Sequence, residues 1–178
     1  MREKIKLENA ISKVHELSAS NYDTIVPVQD MFFNSLTQID IAGQSFGVMP
    51  SAQRLFANRL RVPHSYLSRC SQELQAENLN YWIKEEIKNR QTLFCRFDGN
   101  NLRAVFTERY TAIDHMEVLT KMLDSGFSPS AEVHLALDNE MMVLKVPEYE
   151  RTFNLSENDK IVPGICISNS EVGILALS

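Results

Sequence analysis

What the chain lacks excludes several classes of protein. No apolar run approaches the roughly 18 residues that a membrane-spanning helix needs, so no membrane partner is predicted. The N-terminal residues have no apolar core and carry an acid among their bases, unlike a secretory signal. The three cysteines, Cys70, Cys95 and Cys166, are odd in number and far apart, which predicts reduced thiols and a cytoplasmic location.

Recognisable catalytic and cofactor motifs are missing as well. The 4 histidines do not group and no two cysteines have the spacing of a zinc site, so neither a metal nor a cofactor is predicted. Glycine contributes only 6 of the 178 residues, and no phosphate-binding loop or nucleophile elbow is present. The sequence therefore favours a non-catalytic protein, and no catalytic residue is predicted. An enzyme remains the alternative.

The residues that are present are typical of a globular chain with a real core. Hydrophobic residues make up 44% and charged residues 23% of 178, which suits one domain. Short β-type runs separated by helical segments predict an α+β fold, with a largely antiparallel curved sheet and a helical layer. Residues 1–178 are expected to form this single domain, with residues 50–90 as a candidate helical subdomain. The apolar run at the C-terminal end favours an N-terminal fragment of a longer protein.

Helical periodicity predicts an amphipathic helix over residues 4–17 and a helix–break–helix unit further along. In that unit, Ser51 is the expected N-cap of a helix that ends at about residue 60, and Pro63 precedes a second helix over residues 64–70. A longer helix over residues 73–89 is expected to bury five apolar side chains. These are Leu74, Leu79, Trp82, Ile83 and Ile87.

The most regular helix follows Asp114, which matches a capping box together with Glu117. Gly126 is the expected left-handed residue after its last turn. The β-type runs that follow predict a hairpin and two further strands. They comprise residues 131–137, 141–146, 161–168 and 172–177.

The clearest hairpin has a four-residue loop at residues 98–101. If this loop sets the register, Cys95 lies opposite Ala104 and Arg96 lies opposite Arg103. Two arginines that face each other repel. Three arrangements would relieve this repulsion: exposure of both side chains to water, an acidic side chain between them, or a bound anionic ligand.

Charge is distributed unevenly along this acidic chain, whose formal net charge is −5. Residues 41–72 contain no Asp or Glu but carry four arginines, which are Arg54, Arg59, Arg61 and Arg69. Such a stretch is typical of a solvated helical face whose arginines pair with acids elsewhere. A surface that contacts nucleic-acid phosphates can have the same charge pattern, so both interpretations stay open.

A second set of polar residues interrupts apolar β-type runs, where an uncompensated polar group is costly. One interpretation is a buried network in which Glu171 pairs with an arginine and Asn169 satisfies a turn. The other is an anion-binding surface with a stacking ring at Tyr110. The predicted binding residues are Arg96, Arg103, Arg109, Tyr110, Asn169 and Glu171, together with Arg54, Arg59, Arg61 and Arg69.

Three blocks occur in order along the chain: LRVPHSYLSR at residues 60–69, RAVFTERY at residues 103–110 with an Ile-Asp step after it, and PGICISNSEVG at residues 163–173. They resemble a family of phage- and plasmid-associated proteins that carry a domain of unknown function and also occur in bacterial prophages. The chain departs from the family pattern at residues 106–108 and at His115. The resemblance implies mobile-element biology and a chain that continues further, but no established activity.

Together these features predict a cytoplasmic mobile-element protein with a non-catalytic role in binding nucleic acid, single- or double-stranded. Two alternatives from other classes remain. One is an enzyme that acts on nucleotides or nucleic acid, and the other is a protein-interaction module that counters a host factor.

Overall fold

The computed structural model describes residues 3–154 and 160–174. Its helices and two mostly antiparallel sheets confirm the predicted α+β fold. The chain divides into two compact units. The terminal unit comprises Met1–Ala19 and Ala112–Ser178, and the central unit comprises Ser20–Thr111. Among the described residues, no helix has the length and apolar character needed to span a membrane.

Five α-helices and twelve strands are described, and runs of strands are separated by one to three helices. In chain order they are β1 (Glu3–Lys6), α1 (Leu7–Leu17), β2 (Asn21–Pro27), β3 (Met31–Ser35), β4 (Gln38–Ile41), β5 (Gln44–Val48), α2 (Pro50–Arg59), α3 (His64–Leu67), α4 (Gln72–Asn89), β6 (Thr92–Asp98), β7 (Asn101–Phe106), α5 (His115–Asp124), β8 (Glu132–Leu137), β9 (Met142–Pro147), β10 (Phe153–Asn154), β11 (Lys160–Ile161) and β12 (Gly164–Asn169).

The terminal unit contains an antiparallel sheet in the order β1–β8–β9–β12. β8 and β9 confirm the predicted hairpin. α1 and α5 bring their apolar faces together with side chains of β8 and β9, because each face can leave water only by packing on another. The core residues are Leu7, Ala10, Val14, Val118, Leu119, Met122, Val133, Leu135, Met142 and Leu144.

Two predictions for the terminal unit are wrong at element ends. The helix predicted from residue 4 begins at Leu7, because residues 3–6 form β1 and Ile5 lies opposite Val133. The strand predicted over residues 172–177 is a turn as far as residue 174, and its remainder lies outside the described residues. The Ser170 hydroxyl accepts hydrogen bonds from the backbone N–H groups of residues 172 and 174, which closes that turn.

α5 ends as predicted but begins differently. Gly126 has a φ of +93° and follows the last turn, as a left-handed residue in that position should. Asp114 occupies the N-cap position, yet its side chain makes no capping hydrogen bond. The predicted capping box is therefore wrong, and the first N–H groups of α5 need another acceptor.

The central unit contains a six-stranded sheet in the order β2–β6–β7–β5–β4–β3, in which only β5 and β7 run parallel. α2 packs on β7 and α4 packs on β3. Phe33 and Phe56 meet edge to face with ring centroids 4.9 Å apart, in a favourable aromatic geometry. The largest fully buried side chains of this unit are Phe33, Phe56, Phe97, Ile39, Leu67, Leu79, Leu93 and Leu102.

The helices of the central unit differ from prediction at their ends and on one face. Ser51 lies inside α2, which begins at Pro50, and donates its hydroxyl to the Arg103 carbonyl at 2.7 Å instead of capping. α3 ends at Leu67, three residues earlier than predicted.

α4 buries a narrower stripe than its sequence predicts. Leu79 and Ile83 are buried as expected, but Leu74, Trp82 and Ile87 are 36–44% exposed. The prediction of an inward orientation is therefore wrong for those three. Part of the buried face belongs to a polar residue instead.

That residue is Asn80, whose side-chain amide pairs with the backbone of an edge strand. It accepts a hydrogen bond from the Phe33 N–H and donates one to the Phe33 carbonyl, both at 2.8 Å. Gln75, also in α4, accepts from the Leu36 N–H at 3.0 Å. Side chains of α4 thus satisfy backbone groups of β3, at Phe33, and of Leu36 directly after it, where unpaired groups would invite a foreign strand.

The β6–β7 hairpin keeps its predicted register only beside the loop. A β-bulge inserts Arg103 as an extra residue, so Arg96 lies opposite Ala104. The predicted pairing of Arg96 with Arg103 is wrong, and so is that of Cys95 with Ala104. The bulge removes the direct opposition of two like charges.

The three thiols should differ sharply in reactivity. Cys166 is exposed and Cys70 half-buried, whereas burial of Cys95 raises the pKa of its thiol to about 12. With an aromatic disulfide reagent at pH 8, we expect Cys166 to react first, Cys70 more slowly, and Cys95 only after denaturant is added, because the thiolate is the nucleophile. Cys166→Ser and Cys70→Ser variants assign the phases. Reaction of three thiols at one rate in the native protein would contradict the burial of Cys95.

Candidate functional site

Two of the predicted binding residues, Asn169 and Glu171, lie at the N-terminal end of α5. The Glu171 carboxylate accepts a hydrogen bond from the backbone N–H of His115 at 2.8 Å. His115 is the first residue of α5, and the first N–H groups of a helix have no acceptor within it. A carboxylate there also meets the positive end of the helix dipole. Glu171 therefore caps α5 from 56 residues away in the sequence.

Asn169 determines which nitrogen of His115 carries the ring proton. Its amide nitrogen donates to the Ile113 carbonyl at 2.9 Å, and a carbonyl can only accept, so the orientation of the amide is determined. The same nitrogen lies 3.0 Å from Nδ1 of His115. Nδ1 must then act as the acceptor, which places the proton of the neutral ring on Nε2.

Ser170 completes this arrangement, which we call the cap cluster (His115, Asn169, Ser170 and Glu171). Its hydroxyl donates to the Glu140 carbonyl, in the turn between β8 and β9, at 2.7 Å. None of the four residues is more than 4% exposed. The cap cluster links the end of β12, the start of α5 and the β8–β9 turn. This placement supports a buried polar network for Asn169 and Glu171, with a backbone partner that the sequence did not reveal.

The two arginines of the β6–β7 hairpin lie in the central unit. Arg96 is 3% exposed, and its Nε donates to the Asp23 carboxylate at 2.9 Å. Asp23 lies directly opposite Arg96 in the pairing of β2 with β6, so the two charges are cross-strand neighbours. Arg103, 5% exposed, occupies the bulge. Asp23 is a partner that sequence reasoning missed, because the pairing of β2 with β6 is not local.

Tyr110 uses one face of its ring inside the central unit. It stacks on Phe106 with centroids 3.8 Å apart and an interplanar angle of 8°, and lies 6.0 Å from Phe94. The protein itself thus occupies part of the stacking surface predicted at Tyr110. Arg109 beside it is exposed.

The arginines of the acid-free stretch divide into two groups. Arg59 lies 3.4 Å from Glu86 of α4, and Arg90 lies 3.6 Å from the same carboxylate. The Arg59 and Glu86 side chains are only 16% and 14% exposed. Arg59 thus joins α2 to α4, as the interpretation of pairing with acids elsewhere predicts.

The other three arginines are exposed. Arg54 lies one turn before the exposed Asn58 on α2, and Arg61 follows the helix directly. Beyond α3, Arg69 donates its backbone N–H to the carbonyl of Tyr66, whose ring is 45% exposed. We call this set the basic surface, and its members are Arg54, Asn58, Arg61, Tyr66 and Arg69. Sequence reasoning found the arginines but missed Asn58 and Tyr66.

Arg61 adopts a backbone conformation that arginine rarely takes. Its φ is +56°, in the left-handed region. Its N–H donates to the Asn58 carbonyl at 3.3 Å and the Val62 N–H donates to the Ala57 carbonyl at 3.0 Å. These two bonds form a Schellman motif at the end of α2, whose left-handed position glycine normally occupies. A side chain there costs about 1 kcal/mol.

The terminal unit has an apolar groove that the sequence did not indicate. It lies between α5 and β12 and has a volume of about 420 Å³. Glu117 and Lys121 supply one charge of each sign to its lining. The apolar lining residues are Ile113, Val118, Met122, Phe127, Ile165 and Ile167.

Among residues 3–154 and 160–174, no three His, Cys, Asp or Glu side chains are grouped as a metal ion would require. Comparison with family models, with curated proteins and with solved structures finds no match. The resemblance of the three sequence blocks to phage- and plasmid-associated proteins therefore stays a prediction.

Proposed function

We propose that the central unit binds nucleic acid through the basic surface, as part of a non-catalytic, cytoplasmic protein of a mobile element. The conformation of Arg61 is the observation that carries this proposal. Glycine would close the same motif without the cost of a left-handed side chain. An exposed arginine that the fold does not need, held where it destabilises the chain, is best explained by a contact outside the chain.

The surroundings of Arg61 suit a phosphate backbone. Arg54 and Arg69 are exposed on the same acid-free stretch, and Asn58 adds a neutral hydrogen-bond donor between them. The half-exposed Tyr66 offers a ring on which a base can stack. Although the whole chain has a formal net charge of −5, the local distribution of charge determines where an anion approaches.

Arg61→Gly should make the protein more stable but weaken its binding to nucleic acid, so a loss of binding cannot be ascribed to unfolding. Removing the left-handed side chain should raise the free energy of unfolding by about 0.5–1 kcal/mol. Losing one phosphate contact should weaken binding and reduce the slope of log K against log salt by about 0.7–0.9. Fluorescence anisotropy with single- and double-stranded oligonucleotides across a salt series measures the binding, and urea unfolding measures the stability.

Arg151→Gly is the matched control, because Arg151 is an exposed arginine of the terminal unit that pairs with Glu148 at 3.2 Å. It should leave the salt slope unchanged. Changing Arg54, Arg61 and Arg69 together should reduce the slope by about two to three. If the triple variant binds with the wild-type salt slope, the basic surface does not bind nucleic acid.

A further inference from the structure

A cavity of about 520 Å³ lies in the central unit, where α2 and α4 end beside the last residues of β7. Its polar lining consists of Asn58 and Arg59 from α2, and of Glu86, Asn89 and Arg90 from the end of α4. We call it the arginine cavity, after Arg59 and Arg90. Its volume falls within the range of about 300–1,000 Å³ that is usual for ligand sites.

The charges that line the arginine cavity do not balance. Nη1 of Arg59 lies 3.4 Å and Nε of Arg90 lies 3.6 Å from the same oxygen of the Glu86 carboxylate. Charge-assisted hydrogen bonds between such groups are usually about 2.7–2.9 Å long, so neither contact is tight. Two guanidinium groups share one carboxylate, and one positive charge is therefore left over among the lining residues.

Arg59 also has a donor that the fold does not use. Within the part of the chain that the structure describes, its Nε is buried and has no hydrogen-bond acceptor. A buried donor without a partner is costly and needs an explanation. Because Arg59 lines the cavity, an anionic oxygen bound there can supply the acceptor once the guanidinium group turns towards it.

The rest of the lining is apolar and comes from Leu55, Val105 and Phe106. The ring of Phe106 is held in place because it stacks on Tyr110, with the two centroids 3.8 Å apart. A ligand that combines an anionic group with a flat, largely apolar body would use both parts of this lining. A nucleotide, with its phosphate and its base, has that chemistry.

We propose that the arginine cavity takes one unpaired nucleotide of a single strand, with its phosphodiester beside Arg59 and Arg90 and its base against Phe106. A phosphodiester carries one negative charge, which matches the one positive charge left over in the cavity. A base inside a duplex is paired and stacked, so it cannot enter unless it is first extruded, at a cost in free energy. The nucleic acid that this protein prefers is therefore single-stranded.

This inference rests on the proposed function, because the cavity adjoins the basic surface. Asn58 belongs to the basic surface and also lines the cavity. A strand that follows the basic surface along α2 therefore reaches the cavity without leaving the central unit. Proteins that bind single strands commonly combine a positively charged path for the backbone with aromatic side chains against the bases.

Fluorescence anisotropy with three labelled probes of equal length tests the inference. The probes are a thymidine strand of about 16 nucleotides, an abasic strand and a duplex. We expect the wild type to bind the thymidine strand at least about fivefold more tightly than the abasic strand, since contact with one base is worth that factor or more. It should also prefer the thymidine strand to the duplex.

Two substitutions in the cavity should affect different parts of the nucleotide. Phe106→Leu should lose at least about fivefold in affinity for the thymidine strand and nothing for the abasic strand. Arg90→Gln should weaken binding of both strands and reduce the slope of log K against log salt by about 0.7, without changing the binding of the duplex. Urea unfolding checks that both variants are folded, and if Phe106→Leu is not, the salt slope of Arg90→Gln decides.

Lys88→Gln is the matched control for Arg90→Gln. Both substitutions remove one positive charge from the end of α4, and each residue pairs with a glutamate of that helix, Lys88 with Glu85 and Arg90 with Glu86. Lys88 is 69% exposed and is not a lining residue of the cavity. Its substitution should leave the affinity and the salt slope for all three probes unchanged.

Two results would overturn the inference. One is a wild-type protein that binds the thymidine and abasic strands equally well, or that prefers the duplex. The other is a preference for the thymidine strand that neither Phe106→Leu nor Arg90→Gln reduces. The proposed function survives both results if the triple variant at Arg54, Arg61 and Arg69 still flattens the salt slope. A wild-type protein that binds none of the probes refutes the proposed function, and the inference with it.

Discussion

Asn80→Ala is expected to lower the free energy of unfolding by about 3 kcal/mol. Asn80 is 8% exposed, and its amide satisfies both the N–H and the carbonyl of Phe33 at 2.8 Å. Alanine leaves a buried donor and a buried acceptor without partners, at a cost of about 1–3 kcal/mol each. Urea unfolding followed by circular dichroism measures the total, and hydrogen exchange of the Phe33 amide reports the local effect.

Asn78→Ala is a close control for this substitution. Asn78 lies two residues earlier on α4, and its amide bonds to the Leu74 carbonyl of the same helix at 2.7 Å. Both changes gain the same helix propensity, because alanine is the better helix former. The control should therefore be neutral or slightly stabilising. Equal melting of the two variants would show that Asn80 does not support β3.

The same substitution should also affect solubility. Once the Phe33 groups are uncovered, β3 becomes an open edge that another chain can extend. We expect the Asn80→Ala protein to aggregate at concentrations at which the Asn78→Ala protein stays dispersed, as light scattering would show. A loss of stability without aggregation would mean that another part of α4 still shields β3.

Features that depend on neighbouring residues could be predicted from the sequence. The left-handed Gly126, the β8–β9 hairpin and the acid-free stretch at residues 41–72 all follow from chemistry within a few positions. Turn residues and short-range charge patterns act locally, so their consequences are visible in the sequence.

Features that depend on residues far away in the sequence could not be predicted. Residues 4–6 belong to the stretch with helical periodicity, but their pairing with β8 decides their structure. Asp23 and Arg96 meet across 73 positions. Because these contacts arise only when strands align, periodicity alone cannot assign the acid that balances Arg96.

The candidate sites show the same limit on a smaller scale. One extra residue at Arg103 moves every later pair of the hairpin, and the alternation of apolar residues does not reveal it. Arg61 takes the left-handed position that a glycine would have marked, so the end of α2 has no visible signal. Both irregularities involve predicted binding residues, which is where local rules are expected to fail.

Glu171→Ala should lower the free energy of unfolding by about 3 kcal/mol, because it removes a buried acceptor from the first turn of α5. Glu171 is 4% exposed and accepts from the His115 N–H at 2.8 Å. Glu171→Gln keeps an oxygen in place but loses the charge, so it should cost about 1 kcal/mol. Urea unfolding gives the two values.

The identity of the residue that caps α5 can be decided by comparing acids. Glu117 is exposed in the first turn of α5, and Asp114 holds the N-cap position without a capping hydrogen bond. If Glu171 is the cap, Glu117→Ala and Asp114→Ala should each cost about 0.3–1 kcal/mol, and only Glu171→Ala should greatly speed hydrogen exchange at the His115 amide. A larger loss for Asp114→Ala than for Glu171→Ala would restore the capping box that the sequence predicts. The cap cluster would then hold the β8–β9 turn, through Ser170 and the Glu140 carbonyl, and not the helix.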